Sequence, residues 1–169
     1  IEVSIGQFYG IEINDFAVTV AKTALWIAES QMMKETETVV HMNLNFLPLK
    51  TNAHIVEGNT LRLDWQSIVP KAELNYIMGN PPFVGYSLQS KEQKFDILSI
   101  YIDEKGKPYK TAGKIDYVAG WYFKSAQLMQ NTNIHTAFVS TNSITQGEQV
   151  SGVWKPLYDR FGIHIDFAH

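Results

Sequence analysis

The chain has 169 residues, 45% hydrophobic, 12% aromatic and 18% charged. That is too apolar and too weakly charged for a disordered segment, and long enough to bury one real core. With no cysteine, a disulfide scaffold, a thiolate metal site and a cysteine nucleophile are excluded together. No run of about 18 apolar residues occurs, which predicts no membrane-spanning helix. The net charge is −3 and the pI about 5.9. Nucleic-acid binders are usually basic, so such a partner would be gripped locally or by parts outside this chain. The opening Ile-Glu-Val-Ser has no initiator Met, basic region or apolar core, so it reads as the interior of a longer chain rather than a signal peptide.

In chain order, Gln7 to Ile13 is a short apolar, β-rich run. Asn14 follows as an N-cap, with Asp15 in the first turn, where an anion suits the helix dipole. Ala17, Val20, Ala21, Ala24, Leu25 and Ala28 recur at helical spacing and predict a helix from about Asp15 to Met33. Lys34 to Thr38 is a polar break. Asn52 to Gly58 reads as a strand edge. Leu74 to Met78 is apolar and stops at Gly79-Asn80-Pro81-Pro82, because successive prolines cannot continue a central strand. Lys91 to Tyr101 can be helical, and Asp103 to Lys114 is a lysine-bearing loop. Tyr117 to Met129 carries an amphipathic helix, Thr136 to Ser140 a buried strand, Val153 to Phe161 a helix, and Ile163 to Phe167 alternates as a strand. This order predicts an α/β protein with a mostly parallel sheet and flanking helices. No repeat, low-complexity stretch or linker divides residues 1–169, so they are one domain or part of one.

The chemistry concentrates at Asn80-Pro81-Pro82-Phe83. Directly after an apolar strand, this tetrapeptide falls at a strand's carboxyl end, where open α/β sheets bind ligands. The Asn80 amide oxygen and the Pro81 carbonyl can face one external donor. The prolines hold those acceptors nearly fixed, and Phe83 can lie flat on a planar base. Such a set suits an exocyclic amine on an aromatic ring. That nitrogen is a poor nucleophile because its lone pair is delocalised, and two acceptors on its N–H groups favour the pyramidal form that frees it. Preorganised dipoles at a reacting centre contribute a few kcal/mol each. A rigid strand-exit turn capped by Asn80 is the structural alternative.

Two acids complete the pattern. Glu12 ends Gly10-Ile11-Glu12 just before a helix, where an acid can accept both hydroxyls of a ribose or simply face water. Asp64 follows Leu61-Arg62-Leu63 and precedes Trp65. It can accept from an adenine amino group or cap a short turn.

Gly10-Ile11-Glu12-Ile13, Gly58-Asn59, Leu61-Arg62-Leu63-Asp64-Trp65 and Gly79-Asn80-Pro81-Pro82-Phe83-Val84-Gly85, in that order, resemble class I S-adenosylmethionine-dependent DNA adenine-N6 methyltransferases. Lys91-Glu92-Gln93-Lys94, the Ile115-to-Tyr122 run and Phe138-Val139-Ser140-Thr141-Asn142-Ser143 are similar to the MmeI-like restriction–modification branch. The resemblance covers about Phe8 to His169. It implies a partial Rossmann-like fold, a central fragment of a catalytic domain whose first strand and Gly-rich cofactor loop are missing. Glu12 and Ile13 would bind the ribose side of S-adenosylmethionine, Asp64 and Trp65 its adenine, and Asn80 would border both cofactor and target. Catalysis would fall to Asn80, Pro81, Pro82 and Phe83, with no metal, Phe83 stacking on an adenine flipped from double-stranded DNA.

The same resemblance implies a bacterial cytoplasmic enzyme. Its target-recognition domain would lie elsewhere in the parent polypeptide. The fragment alone is expected to bind cofactor weakly or not at all, to be inactive, and to self-associate through open sheet edges. Two other readings stand beside it: methylation of an RNA guanine amine or a protein glutamine amide, and a non-catalytic DNA-binding or assembly module.

Other residues point less sharply. His41, His54, His135, His164 and His169 show no ligand spacing. Lys105, Lys107, Lys110 and Lys114 against Asp103 and Glu104 leave a local charge of +2 (4 − 2), suited to phosphates or to a solvated loop. Tyr117, Trp121 and Tyr122 fit a core better than a stacking platform.

Overall fold

A computed structural model describes residues 3–41 and 52–168. Ile1, Glu2 and His169 lie outside them, and with them the start of the N-terminal run and one histidine. The chain divides into two compact units, Ile1–Val69 and Pro70–His169.

In the first unit, β1 (Tyr9–Glu12), α1 (Asp15–Val40) and β2 (His54–Glu57) form a parallel crossover, with Tyr9 opposite His54 and Glu12 opposite Glu57. The Tyr9 and His54 rings stack at 4.7 Å. Asn14 is the N-cap: its backbone is extended and its side-chain oxygen accepts from the Ala17 amide at 3.1 Å. The helix does not stop at Met33 but continues to Val40. The polar break contains no Gly or Pro, and polarity alone does not end a helix. The Thr36 and Thr38 hydroxyls bond back to the Met32 and Glu35 carbonyls. Left-handed His41, φ 53°, ends it. No residue of α1 is buried. Among the described residues, the unit's buried apolar side chains are Ile5, Ala53, Leu61, Trp65 and Val69.

In the second unit, β3 (Tyr76–Gly79) pairs in parallel with β4 (His135–Phe138), Gly79 lying opposite Phe138. Between them come α2 (Lys91–Ile100) and α3 (Ala119–Met129), and α4 (Lys155–Phe161) follows. A capping box opens α2: the Ser90 hydroxyl accepts from the Gln93 amide, and the Gln93 side chain accepts from the Ser90 amide. The core is Ile97, Tyr101, Ile115, Val118, Phe123, Val153 and Leu157. Tyr101 packs on Phe123 at 4.2 Å between ring centroids and donates to the Gly152 carbonyl at 2.5 Å. Burial pushes its phenol pKa up. A Cβ on Gly152 would lie 2.8 Å from Ile115 Cγ2, so glycine permits this approach.

The lysine-bearing loop is ordered by Asp103, whose carboxylate accepts from the Lys105 and Lys107 amides at 2.8 and 2.9 Å. Tyr117 is buried, and Tyr122 packs edge-on to Phe138 and Trp154.

Three expectations are corrected. Strands pair only as β1–β2 and β3–β4, so the described residues hold two short parallel sheets and not one. Thr136 to Ser140 is not buried: β4 alternates between exposed and half-buried positions, and Val139 is exposed. Ile163 to Phe167 forms no strand. Left-handed Gly162 ends α4, and among the described residues no strand pairs with this segment, whose Ile165 and Phe167 are exposed. His164 Nε2 lies 2.9 Å from Asp166 Oδ1 on the surface. No helix among the described residues is long and apolar enough to cross a membrane.

Candidate functional site

β3 delivers Asn80-Pro81-Pro82-Phe83 at its carboxyl end, as strand and proline chemistry predict. Asn80, Pro82 and Phe83 are exposed and Pro81 is buried. The corner is therefore rooted in the unit through one proline while its amide and ring face outward. The parallel register sets the exit of β4 beside it: the Val139 amide donates to the Gly79 carbonyl at 3.0 Å. Ser140, Thr141, Asn142 and Ser143 thus follow the neighbouring strand out of the same sheet end. The Ser140 hydroxyl lies 3.0 Å from that of Tyr122. In open α/β folds ligands bind outside the carboxyl ends of the strands, the end of this sheet from which both loops leave.

Long-range hydrogen bonds fix both loops. Val84 accepts from the Tyr117 amide at 2.9 Å. The carboxylate of Asp116, itself buried, accepts from the Tyr86 amide at 3.0 Å through one oxygen and from the Ser143 hydroxyl at 2.7 Å through the other. Buried Gln149 accepts from the Asp116 amide and donates to the Lys114 carbonyl. Buried Gln89 donates to the Ile115 carbonyl. A buried carboxylate or amide is costly unless bonded, and these are bonded. Composition and periodicity single out none of Asp116, Ser143, Gln149 and Gln89 for this work. The only sequence signal was that Asp116 and Ser143 fall inside the runs that carry the family resemblance.

The acids of the first unit are held differently. Glu12, half-buried, ends β1, and its carboxylate accepts from the Ile13 amide at 2.8 Å. Ile13 is exposed. Asp64 caps the turn Trp65–Ser67, accepting from the Gln66 amide at 3.0 Å. This is the capping geometry that its position allowed. Trp65 is buried, and its indole N–H donates to the Thr60 carbonyl at 2.9 Å. Glu12 and Asp64 thus each present a carboxylate bonded to a local backbone amide, an acceptor that the hydroxyls or amine of a nucleoside can meet. Among the described residues no group of three or more His, Asp or Glu is placed to hold a metal ion.

Comparison with known proteins gives a concordant result. The family model described as MmeI, DNA-methyltransferase domain, matches residues 1–169. The chain is 46% identical over 170 aligned positions to DNA methyltransferase A of Bacillus subtilis (strain 168), an alignment covering 99% of this chain and 19% of that protein. It is similar in structure to the Type IIL restriction-modification enzyme MmeI solved in complex with DNA. The TM-score is 0.85 and the identity 43%, over 93% of this chain and 20% of that one. The chain spans about a fifth of the length of either relative.

Proposed function

Because the chain belongs to the family of MmeI DNA-methyltransferase domains, we propose that it is the central part of a methyltransferase catalytic domain in a larger restriction–modification polypeptide, and that it serves transfer of a methyl group to the exocyclic N6 of adenine in DNA. The observation that carries this reading is the exposed amide and ring of Asn80 and Phe83, held by two prolines at the end of a parallel strand. Each unit contains a parallel crossover, the building block of a Rossmann-like class I methyltransferase fold.

In this reading Asn80 Oδ1 and the Pro81 carbonyl accept the two N–H bonds of the amine. They draw the nitrogen toward a pyramidal shape, and its lone pair becomes available. Phe83 stacks on the adenine, which must leave the duplex for its N6 to be aligned. Pro82 restricts the backbone, so the acceptors lose little entropy on binding. Glu12 and Ile13 hold the ribose side of the methyl donor. Asp64 accepts from its adenine amine, with Trp65 beside it. S-adenosylmethionine, when bound, supplies an electrophilic methyl group. The N–CH3 bond would form as the C–S bond of the sulfonium breaks and leaves a neutral thioether, and the surplus proton of the nitrogen would pass to solvent. The DNA relatives named above support a double-stranded DNA partner, with the base sequence read by other parts of the polypeptide.

The test uses the intact parent enzyme with methyl-labelled S-adenosylmethionine, offered unmethylated duplex DNA, RNA and protein separately. Label recovered as N6-methyldeoxyadenosine after digestion of the DNA is the expected result. Label confined to RNA, to protein, or to another base overturns the proposal.

A further inference from the structure

We infer that Asp116 is a positioning residue that fixes the Asn80–Tyr86 loop relative to the exit of β4; this rests on the methyl-transfer reading of the Asn80-to-Phe83 corner. One carboxylate spans the two walls. Its first oxygen holds the Tyr86 amide, three residues beyond Phe83, and its second holds Ser143, five residues beyond the end of β4. The two contacts are 30 and 27 residues away in sequence, so neither is a local cap.

The backbone that carries this carboxylate is itself held in place. Gln149 accepts from the Asp116 amide, Gln89 holds the carbonyl before it, and the next amide, that of Tyr117, donates to Val84. Burying a charge to tie two loops together stabilises poorly compared with apolar packing. What the charged tie supplies is a set distance, through short bonds from two directions. Both loops leave adjacent strands of one sheet end, so slack in either would move Phe83 relative to the β4 exit. Alignment errors of about 1 Å at a reacting centre can cost about 100-fold in rate. Asp116 touches no reacting atom in this account. Its effect passes through the loops.

The test compares Asp116→Ala, Asp116→Asn and Ser143→Ala with wild type in the intact enzyme. Single-turnover methylation rate, DNA affinity, cofactor affinity and thermal unfolding are measured on each. Asp116→Ala is expected to lower the single-turnover rate about 10- to 100-fold, with DNA and cofactor affinity changed less than about 3-fold. Asp116→Asn keeps an acceptor for Tyr86 and a polar partner for Ser143, and is expected to recover most of that loss. Ser143→Ala removes one contact only and is expected to lose about 3- to 10-fold. If Asp116→Ala does not fold, Ser143→Ala decides. A rate equal to wild type in the folded alanine variants overturns the inference. So does a loss shared equally by rate and both affinities, or an Asp116→Asn variant as impaired as Asp116→Ala. A wild-type enzyme that does not methylate adenine would instead remove the functional reading and leave the structural tie intact.

Discussion

Both units end a parallel strand in a turn that carries polar side chains, yet they hold those turns by opposite means. In Ile1–Val69, Glu12 and Asp64 bond backbone amides one and two residues away. In Pro70–His169, the corner after β3 is braced by Ile115, Asp116 and Tyr117, which meet Gln89, Tyr86 and Val84 from 26 to 33 residues away. The cores differ likewise. The 26-residue α1 has no buried residue, whereas six of the eleven in α3 are buried. The contrast has a physical lesson. A carboxylate that receives hydroxyls tolerates some play, because a local turn already aims it. In the reading proposed above, acceptors that reshape a nitrogen need their angle fixed, and the prolines and the tertiary bonds fix it together.

The largest expected difference is in core truncation. Phe123→Ala removes a fully buried ring packed on Tyr101 and Phe161 and should cost about 3–5 kcal/mol. Phe16→Ala, on a ring that is 74% exposed, should cost under about 0.5 kcal/mol. Urea unfolding of the two variants measures both, and equal losses would break the contrast. Asn14→Ala comes next. It leaves the Ala17 amide without its cap and should lower the stability of the first unit by about 1 kcal/mol, read as a shift in the unfolding midpoint followed by helical circular dichroism.

The smallest effect concerns acid. The Lys107 amide, and after it that of Lys105, holds the Asp103 carboxyl below its ordinary value of 3.8. A carboxyl depressed by folding contributes stability above its unfolded value, and that contribution is lost as pH falls through the folded one. The protection of the Lys105 and Lys107 amides, relative to their intrinsic exchange rates, should therefore fall only below about pH 4. Asp103→Asn should remove that acid step. An acid step retained in Asp103→Asn would place the cause elsewhere.

Local chemistry was legible in the sequence. Asn14 as a cap, the arrest of β3 at Pro81-Pro82, and the alternative of Asp64 as a turn cap all depend on residues within four positions. The end of α1 was misjudged because Lys34, Glu35 and Glu37 are polar but good helix formers. Ile163 to Phe167 alternates like a strand, but alternation cannot supply the neighbouring strand whose hydrogen bonds would make it one. Asp116 was invisible as a brace because its partners are 27 to 33 residues distant. Only the folded chain brings them together.

The central claim is that Asn80 acts on the target amine as an acceptor fixed in advance. Its most direct test is single-turnover methylation of duplex DNA by the intact enzyme carrying Asn80→Ala. The expected result is a rate lower by about 10²- to 10³-fold with DNA affinity retained. A rate matching wild type would contradict it.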